Sequence, residues 1–211
     1  MHDISLHILD LIENSLNAKA TVIAVRMEID NKADLLKIRV EDNGPGLKAP
    51  PEQVLSPFYT TNKTKKVGLG LSLFKGTAEM AAGQLVLSRS DALGGVAVEV
   101  RMKLSHIDRP PLGDIASTIS TMIFINPEVD FRFTIQSEDR NYSFQVLEFA
   151  ARKGLHAAAN VELAHAANAE LQGELKAWKR YDLPGSSPER GGAKRSCLWT
   201  DLNPLKQGAD A

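Results

Sequence analysis

From Ile4 to Ala18 the apolar residues Ile4, Ile8, Leu11, Ile12 and Leu16 recur at spacings of four, three, one and four, the pattern of one buried helix face. Asp3 stands where an N-cap belongs. The register then changes to period two: Thr21 to Ile29 and Leu35 to Asp42 alternate, with Asn31 to Asp34 as the polar connection, which predicts an antiparallel hairpin. Within its second strand Leu36, Ile38 and Val40 point inward and Lys37, Arg39 and Glu41 outward. Residues 43 to 70 carry Pro45, Pro50, Pro51, Pro57, Gly44, Gly46, Gly68 and Gly70 and predict a loop-rich segment. A helix is expected from Leu71 to Ala82, stopped at Gly83. Two further strands follow, Gln84 to Ser90 and Val96 to Leu104, joined by a turn at Leu93-Gly94-Gly95. A sheet with one wet face and helices on the other is a two-layer α/β sandwich.

Past Leu104 the chain reads as a small appended α/β subdomain over 105–150: a Pro-Pro turn, a helix from Leu112 to Phe124, a strand from Phe131 to Gln136, a turn at Asp139 to Asn141, and an amphipathic stretch to about Arg152. Residues 151–180 are Ala-rich and helical by propensity, and 181–211, with its Pro, Gly and Ser clusters, is expected to be a disordered tail. The length of 211 residues accommodates one good-sized domain with such appendages. A net charge of -1 leaves no global basic field for nucleic acid or an anionic membrane. The single cysteine, Cys197, excludes an internal disulfide and a zinc ribbon. The amino terminus lacks the features of a signal peptide, and no window reaches the ~18 unbroken apolar residues of a membrane span. A cytoplasmic location is expected.

Three segments carry chemistry. On the first helix Asp3, His7, Asp10, Asn14 and Asn17 recur at spacings of four, three, four and three, a polar stripe free of Lys and Arg. Such a stripe is either a solvated face or a ligand face. As a ligand face it sets an Asn amide oxygen for Mg²⁺ roughly 6 Å along the axis from a carboxylate. Next, Asp42 ends the inward side of its strand and leads into Asn43-Gly44-Pro45-Gly46. It is either a local turn cap or an acceptor for a donor such as an exocyclic amine, with glycines admitting a ligand to the backbone. Last, Ser56-Pro57-Phe58-Tyr59-Thr60-Thr61-Asn62-Lys63 runs through lysines to Gly68-Leu69-Gly70-Leu71 at a helix start, where backbone N–H groups favour an anion. The spacing satisfies neither the P-loop nor the dinucleotide fingerprint.

In order and spacing these segments resemble the GHKL superfamily of ATPases over residues 1–104, about half the chain. The superfamily includes sensor histidine kinases, gyrase-type topoisomerases, mismatch-repair ATPases and chaperone ATPases. The resemblance implies a Bergerat-type ATP-binding fold with ATP and Mg²⁺ as cofactors. It makes the helix bearing Asn14 the N box, with Asn14 as Mg²⁺ ligand and Asn17 beside it. Asp42, Gly44 and Gly46 become the first glycine box, with Asp42 as partner of the adenine amine. Ser56 to Thr61 becomes the phenylalanine box, with Lys63 just beyond it, Gly68, Leu69, Gly70 and Leu71 form the second glycine box, and about Lys48 to Val67 is an ATP lid anchored by Phe58. The short lid and glycine box resemble the histidine-kinase branch, whereas the wording of residues 12–18 resembles the mismatch-repair branch.

The chain departs from the pattern at particular residues. Asp10 occupies the place where hydrolytic branches carry a general-base Glu, and Asn62 precedes Lys63 where related kinases run Thr-Thr-Lys. The sequence begins at the N box, and a stand-alone ATP-binding domain without an upstream phosphoacceptor module is the expectation. Downstream, Ser105, His106, Arg109, Pro111 and Leu112 match a phosphoacceptor box, although Ile107 stands where an acidic residue belongs; His106 is thus a candidate phosphoacceptor or a structural histidine at a strand end. Two functions are expected from the resemblance: a histidine-kinase-like protein that transfers phosphoryl or slowly hydrolyses ATP in a signalling role, with Asp10 as the catalytic residue, or an ATP-gated interaction module. The partners expected are a phosphoacceptor or regulated protein, with a second copy of the chain as a candidate and no nucleic acid.

Overall fold

The computed structural model describes residues 3–56, 69–155 and 160–182. Helix α1, Ile4–Asn17, begins where Asp3 Oδ1 accepts the Leu6 N–H at 3.0 Å. It buries Ile4, Ile8, Leu11 and Ile12, each worth about 1.5–3 kcal/mol over exposure. Strands β1 (Val22–Asp30) and β2 (Leu35–Asp42) form the expected hairpin, with Ile23 opposite Asp42 and Ile29 opposite Leu36. A short helix α2 (Pro51–Val54) follows, then α3 (Leu69–Met80), which starts two residues earlier than its apolar periodicity suggests. β3 (Gln84–Arg89) and β4 (Val96–Lys103) complete the antiparallel part, β4 lying between β3 and β2.

The remaining described residues form α4 (Ile115–Ile125), β5 (Asp130–Gln136), β6 (Asn141–Gln145), α5 (Val146–Lys153), α6 (Asn160–Leu175) and a closing 3-10 turn, Lys176–Tyr181. The strands of 105–150, expected as an appended unit, extend the first sheet instead of forming one of their own. β5 pairs in parallel with β1, Val25 facing Phe133, and the order is β3-β4-β2-β1-β5-β6. The reason is the open edge of β1, whose inward residues Ile23, Val25 and Met27 need apolar neighbours, which Phe131, Phe133 and Ile135 supply. The fold is mixed α/β with a six-stranded sheet.

One face of the sheet is covered: α1 lies over β1 and β2, α3 over β3 and β4, α4 beside α1, and α6 along α4. The other face carries a charge lattice in which Glu99 meets Lys37, Arg39 and Arg101. Glu41, expected to point outward into water, points outward but is buried at 3% exposure beneath Arg39, Arg26 and Ser90. Burial alone would raise its pKa; the bonds from Arg39 and Ser90 and the charges of Arg39 and Arg26 outweigh it and hold the carboxyl below its ordinary value.

The C-terminal elements are fastened to this core. The helix expected across 151–180 is interrupted after α5 by Gly154 in the left-handed region, φ +67°. Tyr181, expected to begin a free tail, is 1% exposed. Its carbonyl accepts Arg109 Nη2 at 2.8 Å and its hydroxyl accepts Asn31 Nδ2 at 3.1 Å. The tail from 183 to 211 lies outside the described residues.

Candidate functional site

Asp42 is the centre of the site. It ends β2 on the inward face, 4% exposed, and its carboxylate collects donors from three parts of the chain. Ser15 Oγ of α1 donates to Oδ2 at 2.8 Å; the amides of Gly44 and Val96 donate to Oδ1 at 2.9 and 3.2 Å. The Gly44 bond is the local turn that the sequence allows. The other two are tertiary, and together the three occupy three of the roughly four acceptor sites of a carboxylate. Asn43 clips the loop to β1 by accepting the Thr21 and Val22 amides, both at 2.9 Å.

Two residues complete this constellation, Ser15 and Gly95, and no motif in the sequence singles them out. Ser15 carried a signal: a small hydroxyl one turn after Leu11 on a face otherwise apolar. In the sequence Gly95 reads as a turn residue. Its N–H donates to the Asp42 carbonyl at 3.0 Å, and a Cβ there would fall 2.5 Å from that oxygen and 2.6 Å from Gly44 N. Only glycine lets the β3–β4 turn approach the Asp42 loop so closely.

The polar stripe of α1 divides in two. Asp3 is spent on capping and His7 is buried at 5% exposure against α3, whereas Asp10, Asn14 and Asn17 are exposed along the C-terminal half. Asp10 stands against the first turn of α3: a Cβ added at Gly70 would lie 3.3 Å from Asp10 Cβ and 3.5 Å from its Oδ2. The structure thus brings the C-terminal half of α1, the end of β2, the β3–β4 turn and, at Gly70, the start of α3 to one end of the sheet. Gly44 adjoins Asp42 and Ala18, and Gly46 takes φ +83° with open space around it. Gly70 and Leu71 lie in the first turn of α3, which Leu69 begins. Phe58, Thr61, Lys63 and Gly68 lie outside the described residues.

The family model described as histidine kinase-, DNA gyrase B- and HSP90-like ATPase matches residues 3–106. Residues 3–106 are a domain of this ATPase family. Among relatives, an NtrY-like sensor histidine kinase of Rickettsia conorii is 30% identical over 86 residues, 40% of this chain and 14% of that protein. The sensor protein kinase PmrB of Pseudomonas aeruginosa is 30% identical over 108 residues, 48% of this chain and 23% of its own length. The chain therefore spans less than a quarter of either relative. Among solved structures, the Aquifex aeolicus MutL ATPase domain complexed with ADP matches with 21% identity and a TM-score of 0.41, covering 79% of this chain and 70% of that one.

Within this ATPase domain His106 is remote from Asp42. It lies in the loop after β4, and the six register steps from Glu41–Ala97 to Leu35–Lys103, at about 3.4 Å each, put it about 20 Å away. Its Nδ1 accepts the Asp108 N–H at 3.2 Å. Arg109, which matched the same box, is a buried clamp bonded to the Leu104, Pro110 and Tyr181 carbonyls. A crevice of about 230 Å³ lined by Met27, Ile115, Leu175 and Trp178 lies between α4 and α6, away from this constellation.

Proposed function

We propose that this chain binds Mg²⁺·ATP at the Asp42 end of the sheet and uses it for phosphoryl transfer of the histidine-kinase type or for slow hydrolysis, in a signalling or regulatory role. The observation that carries the reading is the Asp42 carboxylate: buried, oriented by Ser15, Gly44 and Val96, and left with about one acceptor site for an exocyclic amine. Asn14 and Asn17 offer amides along the adjoining edge of α1. Among the described residues no group of three or more His, Cys, Asp or Glu could hold a metal ion, which fits a cation held by the Asn14 amide, phosphates and water better than a protein cage. When bound, Mg²⁺ neutralises phosphate charge. In this reading, which the family resemblance supports, Thr61, Lys63 and the segment from Gly68 to Leu71 would hold the phosphates. Asp10 orients the attacking group, which is water in hydrolysis and an imidazole or hydroxyl in transfer.

No described helix is long and apolar enough to cross a membrane, in keeping with a cytoplasmic domain that acts on a protein partner, with a second copy as one candidate. A second reading, an ATP-gated interaction module, draws on the hydrogen bonds from Ile4 N to Pro111 O (2.9 Å) and Ser5 N to Leu112 O (3.0 Å). They tie the nucleotide-facing helix to residues 105–150, the docking surface in that reading.

The test incubates the full chain with γ-labelled ATP and Mg²⁺ and follows nucleotide binding, free phosphate and acid-labile protein label, with Asp42→Ala and Asp10→Asn beside wild type. Loss of binding in Asp42→Ala and of product in Asp10→Asn is the expected result. Binding without product, with partner control intact in Asp10→Asn, favours the gated module. Failure of the wild type to bind ATP overturns both.

A further inference from the structure

The α1–α3 interface contains a buried ring that the chemistry above does not use. His7 stacks on Phe74 with ring centroids 4.4 Å apart and planes within 5°, and its Nε2 lies 3.3 Å from Thr77 Oγ1. His7 is 5% exposed and Phe74 is fully buried. Asp10, one turn further along α1, faces Gly70, one turn earlier along α3. The helices therefore run antiparallel here, with the stack about one turn, roughly 5–6 Å, from the Asp10–Gly70 contact.

A flat ring packed face to face, with its edge held by a hydroxyl, sets the separation of two helices, because close-packed interiors leave no slack. Deleting the ring leaves a cavity that the helices close only in part. Helix α3 is rigid over one turn, so a shift at Phe74 carries Gly70 with it. Asp42 is held independently by Ser15, Gly44 and Val96 and does not follow. The two ends of the nucleotide site thus rest on different supports.

We propose that His7 is a positioning residue for the terminal-phosphate end of the site, its ring fixing the first turn of α3 against Asp10. This rests on the nucleotide reading above. It differs from a general stabilising role in one respect: it discriminates between ATP and ADP, because in that reading Asp10, which Gly70 adjoins, orients the group that attacks the phosphate ADP lacks.

The experiment titrates the full chain with Mg²⁺·ATP and Mg²⁺·ADP by calorimetry, at a temperature where thermal unfolding shows every variant folded. Wild type is compared with His7→Ala, His7→Phe and Thr77→Val. In His7→Ala the ratio of ATP to ADP affinity falls about tenfold, the scale of a small misplacement at a reacting centre. His7→Phe keeps the stack and restores most of that ratio, and Thr77→Val lowers it less than His7→Ala. Parallel losses of ATP and ADP affinity, an unchanged ratio, or no rescue by Phe would each overturn the proposal. Should His7→Ala not fold, His7→Asn, which keeps a polar partner for Thr77 but no ring, is read in the same way. A wild type that binds neither nucleotide overturns the nucleotide reading itself.

Discussion

Ser15 and Asp42 meet across 27 positions of sequence, Ser15 Oγ donating to Asp42 Oδ2 at 2.8 Å with both residues buried. A serine hydroxyl has one proton, and its other acceptor, the Leu11 carbonyl, is more distant at 3.3 Å. The bond ties α1 to the end of β2, so the residue beside Asn14 holds the acceptor at the base of the site.

Ser15→Ala removes a charge-assisted hydrogen bond while Gly44 and Val96 remain on the other oxygen. Stability falls by about 1.5–3 kcal/mol, read from urea unfolding, and ATP binds more weakly. An unchanged unfolding midpoint would contradict the role assigned to this bond.

Gly95→Ala places a Cβ among backbone atoms of Asp42 and Gly44 that cannot swing away. The β3–β4 turn must withdraw, at about 1–3 kcal/mol, taking the Val96 amide from Asp42. Calorimetric titration should find ATP affinity reduced even in protein that is fully folded. Gly94→Ala, two residues from Val96 at φ +87° with open space around it, should lose stability without comparable loss of binding.

Arg109 is 1% exposed and donates to the carbonyls of Leu104, Pro110 and Tyr181 at 2.7, 2.8 and 2.8 Å. Burial pushes its pKa down, opposed by the charge of Asp182. Arg109→Met keeps much of the stem but abandons three buried carbonyls, and a loss of about 3–5 kcal/mol is expected. Limited proteolysis should then cut near Tyr181 before it cuts α1. Arg109→Lys recovers only part, since an ammonium lacks the planar fork.

Tyr142 presents a buried hydroxyl with no hydrogen-bond partner among the described residues. Burial, and then the charges of Glu170 and Glu174, push its pKa up from 10.0 to about 12. Between those values the unfolded chain has released a proton that the folded chain keeps, so stability falls as pH rises from about 10 to 12. Tyr142→Phe should flatten that part of the alkaline unfolding profile. Near neutral pH it should match wild type or exceed it by up to about 1 kcal/mol. Destabilisation at pH 7 would indicate a partner for the hydroxyl.

Much of the fold was legible in the local pattern because each signal spans only a few residues. The four-and-three spacing of Ile4, Ile8 and Leu11 and the alternation of Leu36, Ile38 and Val40 report which side of an element is buried. Asp42 was legible for the same reason: its parity with Val40 put a carboxylate on the inward face, and a buried carboxylate requires donors. The order of the boxes identified the family half of the chain, which the match over residues 3–106 bears out.

Other features depended on elements distant in sequence. The stripe on α1 is one pattern in the sequence but two environments in the fold, because α3 covers His7 and leaves Asp10 and Asn14 exposed. Glu41 reads as a solvated position, yet residues from neighbouring strands and the turn after β3 close over it. The parallel pairing of β1 with β5 brings together residues more than a hundred positions apart, and no local periodicity encodes a partner at that distance. Periodicity determined which faces are apolar. Tertiary packing decided which surfaces cover one another, and so placed Ser15 and Gly95 around Asp42, since those contacts form only when separate elements exclude water together.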